Sequence, residues 1–382
     1  MAQNLDPSQA PPSIEFNPPV LIRQDDVARE LRLDFPSAFS SGVSNNDQAR
    51  LHIYLPADVN EAIPAVIVLH YLGADNLSVE TRFAAQLNRR RIAAIILELP
   101  YHLSRTPAGF ASGSQAIRPD TDHLKRTMVQ SVLDVRRTVD WITTRSEFDP
   151  KRIGIMGTSL GGIVATLSAA VEPRFSAQAF VLAGADLAHI LWHSSRVVTQ
   201  RETMRRAGYT EDRLRAELQD IEPLRFLPSA PKRPSLVITA KFDTVVPPRA
   251  SQLLIQALDQ PEVATLNTGH FGGVFAGSSI ISRVGEFFQR QFYGTQRSRL
   301  AKQLAAPTIR LGAIYDGQDG LQVAAGADIW KFTPKGDVFL AGLLSPRGGR
   351  LYLGLQVSRG LSVGVIGTTR KVTWGTFWNA VL

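Results

Sequence analysis

Residues 152–170 read RIGIMGTSLGGIVATLSAA. An apolar stretch, Arg152 to Met156, leads into Gly157-Thr158-Ser159-Leu160-Gly161-Gly162, and an apolar stretch from Gly161 to Ala170 follows. This is G-x-S-x-G set between a strand pattern and a helix pattern. A serine at the tip of such a strand-turn-helix elbow adopts a strained backbone conformation. Glycines two residues before and after it let the flanking segments approach without a Cβ clash. The context, more than the string, marks Ser159 as a candidate nucleophile.

Working outward, the same grammar repeats. Ala49 to Leu55 (ARLHIYL) and Glu30 to Leu33 read as strands, Pro64 to His70 (PAVIVLH) and Ile92 to Leu99 as short continuous apolar runs. Such runs suit strands buried on both faces. Between them lies a helical stretch at 79–88. From Asp122 to Arg145, the residues Leu124, Met128, Val132, Val135, Val139 and Ile142 recur at helical spacing, and Lys125, Arg126, Arg136, Arg137 and Asp140 mark the other face. After the elbow come a strand at 177–183, a charged and mostly helical insertion at 186–228, a strand at 234–239, a helix near 249–257, a strand at 262–266 and a helix at 280–292. Repeated βαβ units imply a mostly parallel sheet covered by helices on both faces. The segment from about 28 to 295 is therefore expected to be an α/β catalytic domain with 186–228 as a helical cap, and the polar, proline-rich residues 1–27 a flexible or extended lead-in.

Past residue 295 the pattern changes. TIRLGAIY, LQVAAGADIWKF, DVFLAGLL, RLYLGLQV, LSVGVIG and KVTWGTFW are separated by the turn clusters DGQDG, TPKG, SPRGG, SRG and GTTR. These read as six short antiparallel strands, a small C-terminal β region over 305–382 with a boundary between 295 and 307. Leu351, Leu353, Leu355 and Val357 fall on one face and Gly and Tyr on the other, so at least one face must be buried.

The chain has 382 residues, 44% of them apolar and 20% charged, which is the composition of globular domains. No cysteine is present, so disulfides, thiolate metal sites and thiol nucleophiles drop out. From residue 295 onward 11 Lys and Arg face 4 Asp, so +7 of the net +8 lies in the last quarter. These cations are scattered over turns, which argues against a nucleic-acid groove. No run of about 18 apolar residues occurs, and the first twenty residues have no basic start with an apolar core. The compartment stays open between the cytoplasm and a secreted or periplasmic location with its leader removed. No H-E-x-x-H and no phosphate-cradling glycine loop is found, so no metal or cofactor is expected.

A serine hydroxyl needs a base, and the base an orienting acid. Of the histidines after Ser159, His189 and His193 fall where the insertion begins. His270 lies in the glycine-flanked loop Thr268-Gly269-His270-Phe271-Gly272 after a core strand, and is the candidate base. Asp243, directly after PSLVITA, is the candidate acid, with Asp186 after AFVLAGA as its rival. The oxyanion of acyl transfer needs two donors. The Leu160 amide supplies one; Tyr71 or Leu72, in the turn after PAVIVLH, supplies the other. His70 reads as a brace for that turn. The loop Pro100 to Arg105 reads as a cleft wall or an ordinary connection, Trp192 and His193 as pocket or packing residues.

Together these segments resemble the α/β-hydrolase superfamily: strand plus His70-Tyr71-Leu72-Gly73, the Gly157 to Gly162 elbow, Phe242-Asp243-Thr244-Val245-Val246-Pro247, and Gly269-His270-Phe271-Gly272, in the order Ser, Asp, His over about 28–293. The helix ending VLDVRRTVDWI is similar to the dienelactone-hydrolase and prolyl-oligopeptidase-like branches. The resemblance implies a triad of Ser159, Asp243 and His270 and a serine esterase acting on a small ester through an acyl-enzyme. The elbow alone does not separate esters from peptides or acyl-amino acids. It departs from the usual H-G-x-G loop and from the cysteine of dienelactone hydrolases. The basic β region is expected to cover the hydrolase, to join copies into a homo-oligomer, or to anchor the chain to a surface.

Overall fold

The computed structural model describes residues 6–26, 28–274, 277–295, 303–304, 308–317, 319–331, 338–358, 360–369 and 371–381. The expected boundary at 295–307 lies mostly outside them, as do the turn TPKG and the first five residues of the lead-in. The described residues fall into two compact units. One comprises those up to Thr239, Val245–Ala264 and those from Ile281 to 295. The other comprises Ala240–Thr244, those within Thr265–Ile280 and those from 303 onward.

In the first unit, strands β1 (Val20–Gln24), β2 (Ala28–Pro36), β3 (Gln48–Pro56), β4 (Ile63–Leu69), β5 (Ala93–Leu97), β6 (Phe148–Thr158), β7 (Phe175–Val181), β8 (Ser235–Ala240) and β9 (Glu262–Leu266) lie in the order β1-β2-β3-β5-β4-β6-β7-β8-β9. The last residues of β8 and β9 belong to the second unit. β1 to β3 are antiparallel, and β5, β4, β6, β7 and β8 run parallel. Every residue of β4 (IPAVIVL) and β5 (AAIIL) is buried, as central parallel strands between helical layers require. Each such Val, Leu or Ile contributes about 1.5–3 kcal/mol through removal from water.

The helices are α1 (Ser78–Asn88), α2 (Thr121–Thr143), α3 (Leu160–Val171), then α4 (Leu187–His193), α5 (Val198–Arg206), α6 (Glu211–Leu218) and α7 (Pro223–Phe226) in the insertion, followed by α8 (Pro248–Ala257) and α9 (Gly277–Tyr293). α2 starts where Asp120 accepts hydrogen bonds from the N–H groups of Asp122 and His123, at 3.0 and 3.2 Å. This is an ordinary acidic N-cap. Its apolar row from Leu124 to Ile142 is buried. Arg136 and Arg137, on the other face of the helix, are buried too. Arg136 donates to the carbonyls of Ser8 and Gln9 at 2.7 and 2.6 Å, and Arg137 to those of Pro12 and Pro36 at 3.0 and 2.7 Å. The lead-in is thereby tied to α2 and ends in β1. Proline carbonyls accept like any others, and composition says nothing about a distant arginine that captures them.

In the second unit, β10 (Gln303–Leu304) pairs in parallel with Thr265 and Leu266 at the end of β9. β11 (Ile309–Asp316), β12 (Gly320–Lys331), β13 (Val338–Ser345), β14 (Gly348–Ser358), β15 (Leu361–Gly367) and β16 (Val372–Val381) form a closed antiparallel barrel, with β16 returning to β11. The expected antiparallel strands are present; their closure was not foreseen. The interior holds Ile314, Phe339, Leu343, Tyr352, Ile366 and Phe377. It also holds two ion pairs, Arg310 with Asp328 at 2.6 Å and Arg350 with Asp316. The Arg310 guanidinium lies 3.5 Å over the Phe339 ring. Glycine is required where neighbouring strands close in: a Cβ on Gly312 would stand 1.8 Å from the Trp378 carbonyl oxygen.

Of the two faces of β14, the one that carries Gly and Tyr is the buried one. Leu351, Leu353, Leu355 and Val357 are exposed, whereas Arg350, Tyr352 and Gly354 on the alternate positions are buried. On β14 the tight interior takes the Tyr352 ring beside Gly354, and a full leucine row does not fit. Among the described residues no helix is long and apolar enough to cross a membrane.

Candidate active site

Ser159 lies between β6 and α3 with φ 55° and ψ −116°. A serine held in this sparsely populated region stores strain that the surroundings must impose. Those surroundings are backbone. The Ser159 N–H donates to the Val181 carbonyl at 2.8 Å. A Cβ on Gly157 would sit 2.1 Å from the Gly161 carbonyl oxygen, and one on Gly161 would sit 2.4 Å from that of Leu69. The turn thus packs on itself and on the end of β4, and only glycine fits at either place. Ser159 is 8% exposed. Leu160, the first residue of α3, has an N–H without an acceptor inside the helix, a position suited to a developing negative charge.

Gly161's contact with the Leu69 and His70 carbonyls brings the Tyr71-Leu72-Gly73 turn beside the elbow. Two imidazoles fix that turn. His70 Nδ1–H donates to the Tyr71 carbonyl at 3.0 Å while its Nε2 accepts the Leu99 N–H at 2.9 Å. His102 Nε2 accepts the Gly73 N–H at 3.0 Å, and its Nδ1–H donates to the Pro100 carbonyl at 2.8 Å. Both rings must be neutral to accept at Nε2. Burial, with the adjacent His102 adding to it, pushes His70 down to about 3, and burial pushes His102 down to about 4. The brace at His70 was readable from its place after a strand. His102 was missed: its ring reaches 29 residues back along the chain, and no local spacing signals that.

The loop after β5 is a tethered connection. Arg105 is fully buried, paired with Asp134 at 2.9 Å and donating to the Asn46 and Glu98 carbonyls. Below the Tyr71 turn, the buried carboxyl of Glu80 on α1 is pushed up to about 7 by desolvation.

In the second unit, the turn after β8 and the loop after β9 are laced together by Lys241 N–H to the Leu266 carbonyl, 2.9 Å, and Phe242 N–H to the Thr268 carbonyl, 3.0 Å. Across this lacing His270 Nδ1 and Asp243 Oδ2 are 2.7 Å apart, with both side chains buried. A carboxylate there fixes the tautomer with the proton on Nδ1 and leaves Nε2 as the basic nitrogen. Asp186, the rival acid, serves elsewhere. It adopts φ 66° at the start of α4, accepts the His189 N–H at 3.1 Å and meets Arg215 at 3.4 Å.

His189 and His193, one turn apart on α4, both contact the Glu211 carboxylate, at 3.2 and 2.9 Å. No local sequence motif marks this grouping, because Glu211 comes from another helix. Arg215 donates to the same carboxylate at 2.8 Å and already supplies a positive charge there. Trp192 stacks under Arg205, 4.9 Å from its guanidinium carbon.

Residues 122–290 match the sequence profile of the prolyl oligopeptidase family. Two uncharacterized proteins of Mycobacterium tuberculosis, from strains CDC 1551 and H37Rv, are each 29% identical over 177 residues, 46% of this chain and 41% of their own length. The matched stretch thus spans less than half of those relatives. Among solved structures, the acetyl xylan esterase from Paenibacillus sp. R4 superposes with a TM-score of 0.56 at 18% identity, over 71% of this chain and 87% of that one. Acetyl xylan esterase 1 from Thermoanaerobacterium sp. JW/SL YS485 gives 0.53 at 16% identity, over 73% and 87%. At such identities these likenesses speak for the fold. The strand order and these superpositions give the chain the α/β-hydrolase fold.

Proposed function

We propose that the chain is a serine carboxylic-ester hydrolase in which Ser159 is the nucleophile, His270 the base and Asp243 the orienting acid. The observation that carries the reading is the strained serine between two obligatory glycines; the buried His270–Asp243 pair supports it. Ser159 Oγ attacks the acyl carbon and passes its proton to His270 Nε2, while Asp243 stabilises the imidazolium. The carbonyl oxygen gains the negative charge and is received by the Leu160 amide and an amide of Tyr71 or Leu72, on the turn that the neutral His70 and His102 hold still. Collapse expels the alcohol, which takes the proton from His270. Water then attacks the acyl-serine with His270 again as base, releasing the acid and restoring Ser159. The names of the structural neighbours, acetyl xylan esterases, favour a short acyl group on a carbohydrate alcohol as the first substrate class to try.

A second reading, hydrolysis of peptides or acyl-amino acids by the same residues, is favoured by the prolyl oligopeptidase match over 122–290. The test is fluorophosphonate labelling of the wild type and Ser159→Ala, followed by p-nitrophenyl esters of rising acyl length beside aminoacyl p-nitroanilides. Labelling lost with Ser159→Ala and turnover of short esters are expected. Full ester turnover by Ser159→Ala would sink the mechanism, and turnover of anilides alone would select the second reading.

A further inference from the structure

We propose that the outer wall of the C-terminal barrel sits in the hydrocarbon of a lipid bilayer. The wall carries large apolar side chains in the open on every strand: Leu311 on β11, Val323 on β12, Leu344 on β13, Leu353 on β14, Val363 on β15 and Trp374 on β16, the last 79% exposed. The charged residues whose side chains are described on these strands, Arg310, Asp316, Asp328 and Arg350, are all buried, paired within the barrel. A barrel in water has the reverse arrangement, whereas polar-in and apolar-out is the arrangement a lipid surrounding selects.

The distribution decides between occupants. A second copy or another protein covers one side of a barrel. Here the apolar wall continues through six strands around the full circumference, and the occupant that surrounds a cylinder is lipid. Closure matters as well, since β11 pairs with both β12 and β16 and no edge strand offers unpaired backbone groups to hydrocarbon. Strands of 7 to 12 residues, rising about 3.3 Å per residue and tilted by about 40°, give an apolar band of roughly 25 Å, the height of an outer-membrane type wall. Tyr315, Trp374 and Trp378 are exposed on this wall, and such amphipathic rings favour the headgroup boundary. With its interior filled by rings and ion pairs, the barrel would anchor and not conduct. The inference is independent of the proposed ester hydrolysis.

The test reconstitutes the purified full chain with vesicles of phosphatidylethanolamine and phosphatidylglycerol and floats them on a density gradient, beside Leu353→Asp and Trp374→Asp. Far-UV circular dichroism and gel filtration in detergent establish that each variant is folded. The wild type is expected to float through an alkaline carbonate wash, with tryptophan emission quenched by brominated acyl chains and less quenched in Trp374→Phe. Folded Leu353→Asp, at the middle of β14, is expected to lose flotation by at least about tenfold, because a charge toward the bilayer midplane is disfavoured, and folded Trp374→Asp, at the headgroup boundary, to lose less. Wild type left at the bottom of the gradient, or Asp variants that float equally well, would overturn the proposal. So would a detergent-free oligomer that Leu353→Asp dissociates while nothing floats, which would assign the wall to a second copy.

Discussion

The sheet of the first unit and the barrel of the second solve the same burial problem with opposite polarity. In β4 and β5 every side chain is apolar and buried, and charge is pushed to helix surfaces and loop anchors. On the barrel strands Arg310, Arg350, Asp316 and Asp328 are inside and most of the leucines outside. Periodicity locates a strand's two faces, but it does not say which face is wet; a period-2 pattern is unchanged when inside and outside are exchanged. The sheet escapes the ambiguity only because helices cover both of its faces.

The largest effect that separates the regions is chemical. Ser159→Ala should lower kcat by about 10⁴-fold or more while leaving the circular dichroism and the barrel's protease resistance unchanged. A kinetic assay with a spectrum of the same sample checks this. Next in size, Arg310→Ala removes the cation that faces the buried Asp328 carboxylate inside the barrel, at a cost of about 3–5 kcal/mol. Limited proteolysis should then cut after residue 308 while the first unit resists. If Arg310→Ala is as protease-resistant as the wild type, the ion pairs do not hold the barrel and the contrast between the regions weakens.

Leu343→Ala, at a buried barrel position, should cost about 2–5 kcal/mol by denaturant titration. Glu80→Gln probes the first unit's one carboxyl raised to near neutrality. Its folded pKa, about 7 against the ordinary 4.5, means that the native state keeps the proton as pH rises through that window. The wild type therefore loses stability from about pH 4.5 to 7 and levels off above it. The Gln variant should match the wild type below pH 4.5 and exceed it by at most about 3 kcal/mol at pH 8, read from melting curves at both pH values. Smallest of all, Leu344→Ala, one residue from Leu343 and facing outward, should change stability in detergent by no more than about 0.5 kcal/mol. Equal costs at 343 and 344 would abolish the inside-outside distinction.

The fold of the first unit was legible because alternating apolar runs and helical rows are local signals, and the elbow glycines sit within four residues of the serine. Asp243 and His270 were also marked locally, each by a strand end before it. What escaped reading was every pairing across distance: His102 with Gly73, Arg105 with Asp134, and Arg136 with the lead-in. Whether the leucine row lies inside or outside was not legible for a related reason. Its environment depends on the closure of β16 onto β11, and no window of sequence contains both.

Arg310 makes that closure a single event. Its guanidinium reaches Asp328 on β12, Gln356 on β14 and Asn379 on β16, the last 69 positions away. A partially zipped ribbon offers this cation one partner and exposes it on a growing sheet, so hairpin-by-hairpin assembly gains little until the ring shuts. Formation of the C-terminal part should accordingly be slow and all-or-none, waiting on contacts remote in the chain.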